Sequence, residues 1–123
     1  MGTPTVDQIV AALAAVESAN NPEAWGDGGR AMGRWQVHPD RLWYEAGRYG
    51  LTPFLGETWD AFVARVLWAM VDDRLGPSLT AVEVAMYWHL GHVCQPNSKD
   101  WDKVYEARFN AALNKELASG TRG

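Results

Sequence analysis

Cysteine is all but missing from this chain. Cys94 stands alone, which excludes an internal disulfide framework. Charge of one sign is scarce too: eleven Lys and Arg face fifteen Asp and Glu, a net charge of −4, with no long run of either sign. Nothing is laid out to track a phosphate backbone, so nucleic acid is not an expected partner. No stretch reaches the roughly 18 consecutive apolar residues that a membrane-crossing helix needs. The N-terminus lacks a basic region, and Asp7 and Glu17 interrupt its short apolar stretch, so no signal peptide is expected. The sequence also lacks internal repeats, low-complexity tracts and linkers.

What is present fits one domain, residues 1–123. A chain of this length buries roughly two-thirds of its unfolded surface and folds without a metal or cross-link. Hydrophobic content of 47% with 21% charged residues reads as globular. Seven tryptophans are far above ordinary usage. So small a core cannot enclose them all, and some must face a groove or the surface.

Hydrophobic periodicity predicts five helices. Thr5 and Gln8 form a capping box ahead of Val6, Ile9, Val10, Leu13 and Val16, giving a first helix over about 5–18 that Asn20-Asn21-Pro22 ends. Residues 20–37 hold four glycines and no helical period. They read as a loop with a short hairpin near Gly26–Gly33. Asp40 starts a second helix carrying Leu42, Trp43, Ala46 and Tyr49, with Gly50 as its cap. Thr58 caps a third, with Trp59, Phe62, Val63, Val66, Leu67, Met70 and Val71 on its apolar face and Gly76-Pro77 as its stop. Thr80 starts a fourth, apolar almost all round and therefore the expected buried centre, ended by Gly91. Ser98-Lys99-Asp100 leads a fifth, with Trp101, Val104, Tyr105, Phe109, Ala112, Leu113 and Leu117 inward; the tail from Ser119 to Gly123 is expected to fray. The fold class is α+β, predominantly helical, with a small loop and β-hairpin lobe early in the chain.

Glu17 is the candidate catalytic group. Its stem starts near the apolar face of the first helix, and it stands at the helix C-terminus, where the dipole disfavours negative charge. Burial beside aromatics raises a carboxyl pKa further and makes a proton donor. Asp27, ten residues on in Gly26-Asp27-Gly28-Gly29, is a second carboxylate that can position a water or stabilise a positive sugar ring. Trp25, Trp35 and Trp43 lie in or beside the polar loop and suit stacking on sugar rings or packing on the first helix. Trp59, Trp68, Trp88 and Trp101 read as core. Arg30, Arg34 and Arg41 form a local basic group suited to carboxylates, or to loop solvation. His89, His92 and Cys94 sit close together. The plainer reading of these three, a helix-end histidine pair and a buried thiol, outweighs a zinc site or a cysteine nucleophile.

Three blocks carry a resemblance: Glu17-Ser18; Gly33-Arg34-Trp35-Gln36 ahead of a Pro-containing turn; and Ala85-Met86-Tyr87-Trp88-His89-Leu90-Gly91. Together they resemble the signature blocks of the lysozyme-like superfamily, most nearly soluble lytic transglycosylases and goose-type lysozymes, including phage versions. The resemblance spans roughly residues 9–92. It implies a lysozyme-like fold with a groove between a helical body and the small lobe. It implies cleavage of the β-1,4 bond between N-acetylmuramic acid and N-acetylglucosamine in peptidoglycan. Glu17 would then be the general acid and Gln36 would line the groove. Tyr87 would sit beneath Glu17 and orient it, and Ser18 would support the substrate side or the helix end. Asp27 matches an acidic residue of the hydrolases. The Arg group would meet the carboxylates of peptide stems.

The chain departs from the family's pattern in two places. Trp88 follows Tyr87 where the family has Asn, and Arg34 and Trp35 replace apolar Leu or Met. These leave hydrolysis and transglycosylation both open. No cofactor is implied, the partner is the peptidoglycan glycan strand, and a monomer is expected. Without a signal peptide, a phage endolysin or virion-associated enzyme acting in the periplasm or cell wall is the expected setting. The rival from another class is a non-catalytic module that keeps the fold to bind glycan or a partner protein.

Overall fold

The computed structural model describes residues 4–76 and 79–120. Its elements in chain order are α1 (Val6–Ser18), β1 (Trp25–Gly26), a 3₁₀ turn (Asp27–Gly29), β2 (Ala31–Met32), α2 (Pro39–Arg48), α3 (Trp59–Arg74), α4 (Ala81–Leu90) and α5 (Lys103–Gly120). β1 and β2 pair antiparallel, Trp25 opposite Met32 and Gly26 opposite Ala31. A further bridge joins Met32 to Val37. The chain is thus predominantly helical with one small antiparallel sheet. Among the described residues, no helix is long and apolar enough to cross a membrane.

Side-chain caps set most helix starts. Thr5 accepts from the Gln8 backbone N–H at 3.1 Å while the Gln8 side chain accepts from the Thr5 N–H at 2.8 Å. Thr80 and Glu83 repeat the arrangement on α4, and Thr58 accepts from the Ala61 N–H on α3. Such caps satisfy amide donors that a helix leaves open, at about 1 kcal/mol each. α4 ends on Gly91 at φ 86°, a conformation that suits glycine.

Four boundaries differ from the expectation. α1 closes through left-handed Ala19 and Asn20 rather than Asn20-Asn21-Pro22. α2 begins at Pro39, whose fixed φ suits a first turn, and its cap is Tyr49, with Gly50 following. α3 ends at Arg74 and is capped by Leu75, directly ahead of Gly76, and Pro77 lies outside the described residues. α5 starts after Trp101, not at Ser98, because the Asp102 carboxylate accepts the Tyr105 N–H at 3.0 Å and takes the capping role. It runs through Ser119 to Gly120, so those two residues belong to the helix; residues 121–123 lie outside the described ones.

α1 packs mainly on α5 and α3 and also touches α4. The core is built from Ile9, Leu13, Leu42, Phe62, Leu67, Met70, Met86 and Phe109. α4 buries five consecutive residues, Val84 to Trp88, as its all-round apolar sequence requires. Three residues expected inside are not enclosed. Trp68 is exposed, its indole N–H donating to Asp7. Trp59 is half-buried against exposed Trp43, edge to face at 6.3 Å. Val104 is 70% exposed. Helical spacing gives the face but not where neighbouring helices stop covering it.

Candidate functional site

Glu17 occupies the last turn of α1, half-buried. Tyr105, from the first turns of α5, donates its phenol to Glu17 Oε2 at 2.8 Å. Loss of water around the carboxyl raises its pKa above the ordinary value. The Tyr105 hydrogen bond and the positive fields of His89, Arg108 and Arg41 oppose that rise without cancelling it. The phenol in turn is pushed up by its own burial and by the neighbouring carboxylate. On the face of Tyr105 lies the His89 imidazole, stacked with centroids 3.9 Å apart and planes 7° from parallel. His89 Nε2 stands 3.0 Å from Asp102 Oδ2. The Tyr105 backbone N–H and His89 hold the Asp102 carboxyl below its ordinary range. Asp102, His89, Tyr105 and Glu17 thus form one continuous chain of contacts from the surface to the buried carboxyl.

Glu17 opens onto a groove of about 620 Å³. Its walls come from α1, the hairpin lobe and its exit, the start of α2, and the end of α4. Gln36, Asp27, His38, Arg41, Trp88 and His89 line it. Asp27, at the lobe's tip with φ 53°, meets His38 Nε2 at 2.9 Å. Gln36 also adopts a positive φ, 49°, and donates its amide to the Gly33 carbonyl at 2.9 Å. A Cβ on Gly26 would run into Gln36 Oε1, so the glycine leaves the amide its place beside the strand. Arg41 caps α4: its guanidinium donates to the carbonyls of Trp88 (2.6 Å) and Tyr87 (3.1 Å) and lies over the Trp88 ring. A cation there suits the negative end of the helix dipole.

The structure brings Glu17, Asp27, Gln36, Arg41 and His89 to one groove and places Ser18, Trp25, Arg34, Trp35, Trp43 and Tyr87 outside its lining. Tyr87 does not reach Glu17. Its hydroxyl donates to the buried Glu45 carboxylate at 2.5 Å and accepts from Arg74 at 3.1 Å, in a polar cluster between α2, α3 and α4. Ser18 fastens the loop, donating to the Arg34 carbonyl at 2.6 Å and accepting from the Asn21 N–H. The Arg34 side chain is taken up by Asp60 and Asn20, so it is not free for a ligand's carboxylate. Trp35 is buried, donating its indole N–H to the Val10 carbonyl at 2.9 Å. Trp43 packs on Phe62 on the outer side of α2. Trp25 is 66% exposed and lines a separate cleft. His92 lies beyond the end of α4 and so shares no helix face with His89, while Cys94 is buried. Among the described residues, no three His, Cys, Asp or Glu side chains gather as a metal site.

Tyr105, Asp102 and His38 escaped the sequence reading. The available signal for Tyr105 was a hydroxyl on an otherwise apolar helical face, which needs a partner when buried. Its partner lies 88 positions away, beyond any local pattern. Compared with protein-family models, curated proteins and solved structures, the chain finds no match in any of the three.

Proposed function

We propose that this chain is a peptidoglycan-cleaving glycosidase on a lysozyme-like fold, with Glu17 as the general acid. The observation that carries the reading is the pairing of a half-buried, raised-pKa carboxyl with an open groove large enough for sugar rings. A carboxyl whose pKa is raised holds its proton to higher pH and can deliver it to a leaving oxygen. Catalysis by this route breaks the bond from the N-acetylmuramic acid anomeric carbon to the bridging oxygen. The electron pair stays with that oxygen, which takes the Glu17 proton. Tyr105 holds the carboxyl in place and accepts no proton itself. The sugar cation is then closed either by water, which gives a reducing end, or by the sugar's own 6-hydroxyl, which gives an anhydro end, and the proton that the attacking oxygen sheds returns to the Glu17 carboxylate. Asp27, hydrogen-bonded to His38 in the same groove, is the group available to hold a water. Gln36 presents an amide that suits the N-acetyl groups.

The test is digestion of purified wall by wild type and Glu17→Gln, with mass spectrometry of the released muropeptides. Wild type should release soluble fragments and the variant almost none, while both still sediment with wall. Equal release by the two proteins would sink the assignment of Glu17. Retained binding with no cleavage by either would make the chain a binding module.

A further inference from the structure

The two oxygens of Asp102 serve the same neighbour. Oδ1 accepts the Tyr105 backbone N–H at 3.0 Å. Oδ2 stands 3.0 Å from His89 Nε2, and the His89 ring lies flat on the Tyr105 ring, centroids 3.9 Å apart. One carboxylate therefore grips the backbone of Tyr105 directly and the face of its ring through an imidazole. Asp102 is held below the ordinary carboxyl range. Ionised, it can only accept, so His89 Nε2 carries the proton that joins them. An ordinary surface ion pair contributes little to stability. This one differs in what it holds. Tyr105 is buried, and its phenol donates to Glu17 Oε2 at 2.8 Å. Spinning a tyrosine ring about its long axis leaves the hydroxyl in place. Only a tilt of the ring out of its plane, or a swing from the backbone, carries the hydroxyl off its partner. The stacked imidazole opposes a tilt toward its side, and the Asp102 cap fixes the backbone from which the ring would swing. His89 also lines the groove with Glu17, so the hold on the acid starts from a wall that a ligand touches.

We propose that Asp102 and His89 are positioning residues for Glu17: Asp102 fixes the imidazole, the imidazole fixes the Tyr105 ring, and the ring keeps its hydroxyl on the carboxyl. The assignment rests on the glycosidase reading for the reaction that Glu17 serves, whereas the linkage itself belongs to the fold. The groups that face Glu17 are Tyr105 and Arg108 from α5, His89 from α4 and Arg41 from α2. Asp27, His38 and Asp40 line the same groove. Against that background His89 acts on Glu17 in two ways. Its positive charge favours the carboxylate, and its stack keeps the phenol, which also favours the carboxylate, in place. Both effects have the same sign. Without the imidazole, Glu17 should hold its proton to higher pH and hold its position less well.

The experiment is an NMR titration of the Glu17 side-chain carboxyl carbon, its signal identified by its loss in Glu17→Gln. It is run on wild type, His89→Ala, Asp102→Asn and the double variant, beside pH–rate profiles of the same proteins on purified wall. His89→Ala should move the Glu17 midpoint to higher pH. Asp102→Asn keeps an acceptor for the Tyr105 N–H but frees the imidazole, and should move it the same way by less. Because Asp102 acts on the ring through His89, the double variant should match His89→Ala alone. The alkaline limb of kcat/KM should follow the midpoint. In His89→Ala, kcat should fall roughly five- to tenfold, the scale of one hydrogen bond poorly held, with KM little changed. A midpoint that stays in place or moves down in either single variant, or shifts that simply add in the double, overturns the proposal. Should His89→Ala not fold, Asp102→Asn decides alone by the same criterion. Midpoints that move as expected in a protein that leaves wall intact would overturn the glycosidase reading and leave the linkage standing. Cleavage with unmoved midpoints would do the reverse.

Discussion

Tyr105→Phe removes one oxygen and leaves the ring in its stack with His89. The lost contact is the 2.8 Å hydrogen bond to Glu17 Oε2. A hydrogen bond to a charged acceptor contributes about 1.5–3 kcal/mol, and one between neutral groups about 0.5–1.5 kcal/mol. The variant should therefore melt on the order of 5–10 °C below wild type where Glu17 is ionised, and the deficit should shrink in acid, where the carboxyl is neutral. The sign for activity follows from the same contact. The phenol favours the ionised carboxyl, so deleting it pushes the Glu17 pKa further up. A general acid works while protonated, so the alkaline limb of kcat/KM should move to higher pH, with lower kcat because the carboxyl is less well held. The assay is a pH–rate profile on purified wall paired with thermal melts across the same pH range. A limb that stays in place or moves down, or a melting deficit independent of pH, would refute the role given to Tyr105.

Three further outcomes are expected. Glu17 carries a raised pKa, so its ionisation weakens the fold: the cost is absent below the ordinary carboxyl value of 4.5, grows as pH rises through the folded-state value, and stays constant above it. Glu17→Gln should then raise Tm at neutral pH and lose that gain in acid; an equal gain at every pH would contradict the desolvation argument. Glu45→Ala deprives Tyr87 of its acceptor and leaves Arg41, 3.9 Å away, without its buried counter-charge. A loss of about 3–5 kcal/mol in urea unfolding is expected, and Glu45→Gln, which keeps an acceptor, should lose less. Gly26→Ala drives a methyl into the Gln36 amide at a backbone of φ −143° that any residue adopts. It should change stability by under about 1 kcal/mol yet raise KM more than it lowers kcat.

Local chemistry accounts for what was legible. Capping boxes at Thr5 and Thr80, the Gly91 stop and the uninterrupted apolar run of α4 announce themselves over a few residues, and the structure has them. So does the hairpin in the glycine-rich loop. Glu17 and Asp27 were legible as candidates because each lies on or beside the glycine-rich loop, and Gln36 through the motif resemblance; all three line the groove. The misplacements arise where identity depends on a distant neighbour. Tyr87 was expected under Glu17 on the strength of a motif, but the buried Glu45 carboxylate one helix away claims its hydroxyl. Arg34 looked free for a ligand in a polar loop, but Asp60 and Asn20 claim it, and Trp35, open to sugar stacking or to packing on the first helix, takes the second place against Val10. Trp68 looked like core by spacing alone, but it stays 44% exposed, its indole reaching only Asp7 at the start of α1. Helical period reports which residues share a face, whereas which face is covered is fixed by packing between helices.

The hydrogen bond between Glu17 and Tyr105 also bears on how the molecule is made. It joins the end of the first helix to the last helix, so every other element is synthesised before it can form. Until α5 docks, the Glu17 carboxyl lacks both the phenol that steadies it and the helix that dries it. It then behaves as an ordinary surface carboxylate with an ordinary affinity for protons. The raised pKa of Glu17 is therefore a property of the assembled fold, made by a contact between two helices far apart in the sequence, and not of the first helix alone.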